Sequence, residues 1–148
     1  MKLKTIKESI KINASKEKVW EVVINDKYIN IWYGEFSEGS HAQTDWKVGS
    51  KAIFVDNSTN GMVAKIIANE PGKILSMEFQ GIVINGQENY ETEEALFVKG
   101  GMETYHFSEI NGITEMSIES DMADLYFDFM SEAWKNALKK VKELAESL

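Results

Sequence analysis

Few residues in this chain have both the type and the spacing that chemistry requires. There is no cysteine, which excludes disulfides, thiol catalysis and cysteine-type metal sites. The two histidines, His41 and His106, stand far apart and form no HxH or HxxxH pattern, so no metal site is expected. No GxSxG, P-loop or dinucleotide fingerprint is present, so neither a nucleophile nor a cofactor is expected. Acid–base catalysis would need a group with a shifted pKa inside a pocket. Tyr105 is the best candidate for an inward hydroxyl, and Thr114 and Ser120 share the face of Met116. Glu8 is the carboxylate that strand alternation turns inward, whereas His106 alternates with Tyr105 and should point away. The acidic stretch ENYETEE (Glu88 to Glu94) reads as a solvated loop, a pocket rim or a contact site.

Charge narrows the partners. The formal net charge of the 148 residues is −8, and all 16 cationic side chains are lysine. Arginine is the usual fork for phosphates and guanine edges. An acidic chain without it is not expected to bind nucleic acid. No apolar run approaches the roughly 18 residues that span a bilayer, so membrane insertion is not expected. The start, MKLKTIKESIKIN, alternates and has no apolar signal core, which points to a cytoplasmic protein.

The elements that must position these residues can be placed by period and punctuation. Residues 3–13 alternate as a strand with Ile6, Ile10 and Ile12 on one face, and Glu8 on that face needs an edge or a partner. Ser15 suits the N-cap of a helix over 15–24, whose buried side carries Val19, Trp20, Val22 and Val23. Trp20 is read as a packing anchor for this helix rather than part of a site. Asp26 is expected to cap a second short helix bearing Tyr28, Ile29 and Trp32. Strands over 51–57 and 62–69 flank Asn60-Gly61, read as a type I′ hairpin turn. EPGK (Glu70 to Lys73) fits a type II turn, and a strand over 73–84 follows with Leu75, Met77 and Phe79 inward and Ser76, Glu78 and Gln80 outward. Thr92 suits the cap of a single helical turn. Asn111-Gly112 joins strands over 102–109 and 113–121. Residues 124–147 form a long amphipathic helix of roughly 36 Å.

One strand, two short helices, antiparallel strands and a long terminal helix make an α+β arrangement, expected as a single domain over 1–148. The inward set is Phe54, Met62, Ile66, Met77, Phe79, Tyr105, Phe107, Met116 and Ile118 from the strands, with Phe127, Met130, Trp134 and Leu138 from the helix. These residues make either a solid core or the wall of an apolar cavity, and methionines suit an adaptable wall.

Five blocks carry a family resemblance: INASKEKVWEVV (Ile12 to Val23), DWKVGSKAIF (Asp45 to Phe54), NGMVAKIIANEPGKILSMEF (Asn60 to Phe79), ETYHFSEINGITEMSIESDM (Glu103 to Met122) and FMSEAWKNALKKVKELAE (Phe129 to Glu146). In order and spacing the chain resembles START-like, birch-pollen-allergen-type helix-grip domains of the SRPBCC superfamily. Within it the chain looks most like bacterial relatives of the C-terminal domain of the heat-shock protein 90 ATPase activator. The resemblance implies a helix-grip fold, in which a curved antiparallel β-sheet wraps around the long C-terminal helix, two short helices lie near the N-terminus, and a cavity is enclosed. It implies a carrier or sensor that holds a small hydrophobic molecule against the inward set above, with no catalysis evident, as monomer or dimer. The superfamily leaves two alternatives open: a chaperone-associated partner, and a cyclase or dehydratase in which Tyr105 and Glu8 would have to converge.

Overall fold

The computed structural model describes residues 2–148. It begins with strand β1 (Leu3–Ile12), followed by helices α1 (Lys16–Ile24) and α2 (Asp26–Trp32). Five strands come next: β2 (His41–Gln43), β3 (Lys51–Val55), β4 (Gly61–Glu70), β5 (Ile74–Ile84) and β6 (Gln87–Asn89). Helix α3 (Glu93–Val98), strands β7 (Met102–Ile110) and β8 (Ile113–Ala123), and helix α4 (Phe127–Glu146) complete the chain. The strands form one antiparallel sheet in the order β1-β8-β7-β5-β4-β3-β2, with β6 paired to β5. Irregular register between β4 and β5, at Val63/Ala64 and Ile66/Ala68, adds local bends of the kind that curl a sheet. α4 lies against β1, α1 and α2, inside the curl. This is the helix-grip architecture. Among the described residues no helix is long and apolar enough to cross a membrane.

Local chemistry explains most boundaries. Ser15 accepts from the Lys18 amide and caps α1. The cap of α2 is Asn25, not Asp26: Asn25 is extended, ends α1 with its own N–H on Glu21, and accepts the Lys27 amide with its side chain. One residue therefore turns the chain between two helices, and Asp26 becomes the first helical residue, where a negative charge suits the dipole. Thr92 caps α3 through the Ala95 amide. Lys73 N–H closes the Glu70–Lys73 turn on the Glu70 carbonyl with Gly72 at φ +73°, as a type II turn needs. The terminal helix begins at Phe127 because residues 124–126 form a tighter 3₁₀ turn.

Two hairpins behave differently. Asn111 and Gly112 both have positive φ, 53° and 80°, and join Ile110 to Ile113 in a two-residue turn. In the other, β3 stops at Val55 and residues 56–60 make a longer loop in which Thr59, not Asn60, has positive φ. Asp56 organises it by accepting the Ser58 and Asn60 amides. Gly61 is a strand residue paired with Val55, and a Cβ there would stand 1.7 Å from the Phe54 carbonyl oxygen. Ser76 is buried rather than solvent-facing, because its hydroxyl pairs with that of Thr104 across β5 and β7 at 2.7 Å.

One end of the grip is filled by indoles. Trp20 meets Phe107 edge-on at 5.3 Å between centroids. Trp32 donates its indole N–H to the Val22 carbonyl at 3.0 Å and stacks near Tyr105 and Trp134.

Candidate functional site

The other end of the grip is open. A cavity of about 670 Å³ lies between β3, β4, β5, the end of β8 and the first half of α4. Residues from 33–41 and from α3 close its sides, and the strongly exposed Leu125 and Tyr126 form an apolar lip. Of the inward set, Phe54, Met62, Phe79, Met130 and Trp134 line it. Ile66, Met77, Tyr105, Phe107, Met116, Ile118 and Leu138 lie instead in the packed core. Trp20 packs on Phe107 and Trp32 on Tyr105 within that core, so these residues contribute packing. Phe127 faces away: it borders a surface groove with Glu8 and Lys135, and the Lys4 ammonium sits 5.1 Å above its ring.

The polar chemistry of the cavity centres on Glu103, which the sequence reading passed over. Glu103 is half-buried on β7 and forms part of the cavity wall. Tyr105 donates its hydroxyl to Oε2 at 2.6 Å, and Ser120 donates to Oε1 at 2.8 Å. No lysine pairs with it among the described ion pairs. Loss of solvation pushes its carboxyl above the ordinary range, and the two hydroxyl donors offset only part of that. Burial also raises the Tyr105 and Tyr33 phenols well above their ordinary value, and the Glu103 charge adds to both. The missed signal was simple: Glu103 precedes Tyr105 by two residues, so strand alternation puts both on one face.

Glu8, the carboxylate expected to turn inward, is half-buried on the edge strand β1 and borders the outer groove. Ile118 stands between Glu8 and Tyr105 in the register of β1, β8 and β7. The pair Tyr105 and Glu8 therefore does not converge; Tyr105 serves Glu103. Thr114 is also spoken for, since its buried hydroxyl donates to the Ala14 carbonyl at 2.7 Å.

Trp134 adds an unused donor. It is 1% exposed, lines the cavity, and its Nε1–H has no acceptor among the described residues. Buried indole N–H groups normally find a partner. His41, expected in a loop, sits on β2 at the cavity mouth, its Nδ1 3.0 Å from the Gly39 carbonyl. His106 points outward and is exposed. Among the described residues no three metal-ligating side chains come together. Of ENYETEE, Glu94 reaches the cavity edge, while Glu88 pairs with Lys51 at 2.8 Å on the surface.

This geometry can be set beside known proteins. A profile of the family described as activator of Hsp90 ATPase homolog 1-like protein matches residues 13–146. The chain belongs to that family. Solved structures agree on the fold. Protein MLL2253 from Mesorhizobium loti superposes with a TM-score of 0.75 at 15% identity, over 97% of this chain and 98% of that one. The Aha1 dimer from Colwellia psychrerythraea gives 0.70 at 18% identity, over 97% and 96%. CalU16 from Micromonospora echinospora gives 0.67 at 16% identity, over 97% and 76%. Among curated proteins none matches the chain significantly. Family membership accounts for the grip.

Proposed function

We propose that this member of the activator-like family binds a small, largely apolar molecule in the cavity between sheet and C-terminal helix, as a carrier or sensor. The supporting observation is the cavity itself: about 670 Å³ of space walled by Phe54, Met62, Phe79 and Met130. Ligand sites typically occupy roughly 300–1,000 Å³ with apolar walls and a few placed polar groups. A thermal-shift screen of lipids and aromatic compounds, with native mass spectrometry of the purified protein, tests the reading. A ligand at 100 times its Kd adds about 2.7 kcal/mol to unfolding, an easily seen shift. No shift and no bound mass across the screen would remove it.

The family's description names an Hsp90 ATPase activator, and that supports a second reading, a chaperone partner. An ATPase-stimulation assay with the host's chaperone decides it: stimulation supports the reading, and none at micromolar protein rejects it.

A further inference from the structure

We propose that the cavity takes a cationic apolar amine, with its ammonium group at Glu103 and its hydrocarbon body against Phe54, Met62, Phe79 and Met130. The proposal rests on the cavity reading above and names the ligand's class.

The first argument is the charge of the lining. The ionisable side chains that face the cavity are Asp56, Glu94, Glu103, Asp121, His41, Tyr33 and Tyr126. No lysine is among them, although the chain has 16. A fatty-acid carboxylate would meet like charge on several sides, and a neutral lipid would leave the carboxylates as they are. A cation complements the charge of this wall.

The second argument separates Glu103 from the other acids. Asp121 is engaged by the Met102 amide at 2.9 Å and the Thr5 hydroxyl at 2.5 Å, tying β1, β7 and β8 together. Asp56 holds the β3–β4 loop through Ser37, Ser58 and Asn60. Glu94 is exposed on α3. Glu103 ties no loop or backbone amide in place: its two donors are the Tyr105 and Ser120 hydroxyls of its own wall, no lysine pairs with it among the described ion pairs, and each oxygen keeps room for another donor. A charge removed from water without a partner is costly, and a bound ammonium offsets that cost.

The third argument is the aromatic surround. Tyr33, Phe36, Phe54 and Trp134 form a continuous wall, with centroid separations of 6.0 Å for Tyr33–Phe36, 5.8 Å for Tyr33–Phe54 and 4.8 Å for Phe36–Trp134. Aromatic faces attract cations most strongly where water is excluded.

Three probes with one chain length separate the possibilities: dodecylamine, dodecanol and dodecanoate, titrated by calorimetry below their aggregation limits at neutral pH. The wild-type protein should bind the amine at least about tenfold more tightly than the alcohol, and the carboxylate weakest. Glu103→Gln should bring the amine down to the alcohol, and a Glu8→Gln control on the outer groove should leave that preference intact. If alcohol or carboxylate matches the amine, or if Glu103→Gln keeps the preference, the proposal is overturned while the cavity reading stands. If none of the three binds the wild-type protein, both fall. The wild-type ranking decides even should Glu103→Gln fail to fold.

Discussion

Ionised Glu103 works against the fold, because two neutral hydroxyls cannot replace the water it loses. Below the ordinary carboxyl value of 4.5 both folded and unfolded chains hold the proton. As pH rises past it the unfolded chain ionises first, so stability falls until Glu103 itself ionises. Glu103→Gln should therefore match the wild type near about pH 4 and exceed it near about pH 8, by about 1 kcal/mol or more. Denaturant titrations at the two pH values check this, and equal differences at both would contradict it. Trp20 is the opposite case, a buried ring whose role is packing against Phe107. Trp20→Ala should cost about 3–5 kcal/mol of stability, measured by the shift in the urea midpoint. Its packing role was legible in the sequence because Val19, Trp20, Val22 and Val23 mark one helix face. Glu103 was equally legible by alternation with Tyr105, but a carboxylate is taken for a surface residue until a cavity gives it somewhere to face.

At the scale of elements, the same dipeptide does two jobs. Asn111-Gly112 supplies two left-handed residues to a tight turn. Asn60-Gly61 supplies a glycine whose missing side chain lets β4 pass the Phe54 carbonyl. Local sequence announces a glycine but not the strand that will lie across from it, so only the first turn was read correctly. Gly61→Ala should destabilise by more than about 2 kcal/mol, since backbone rather than a flexible side chain must move, while Gly34→Ala, with open space around it, should be near neutral. Thermal melts of the two variants make the comparison, and similar melts would contradict it. The long strands and α4 were legible from period 2 and period 3.6. The three-residue strands HAQ and QEN were not, because such short polar segments carry no alternation and exist only by pairing with β3 and β5.

For the whole molecule, the grip is half filled and half open. Which face of each strand points inward could be read from the sequence, and all of the inward strand residues except Phe54 and Met62 are buried. Where along that face the space lies could not, because it depends on Trp20 and Trp32 arriving from α1 and α2 to plug one end. Ile66 and Met77 thus became core, while Met62 and Phe79 became wall. Met130, on the first half of α4, projects into the open end. The most direct measurement is a titration of the neutral apolar dye N-phenylnaphthylamine into the wild-type protein and into Met130→Trp, a variant that fills the cavity. The account predicts a saturable rise in dye emission with one site per chain, largely lost in Met130→Trp although that variant stays folded by circular dichroism. No saturable signal in the wild-type protein, or equal binding in the filled variant, would contradict it.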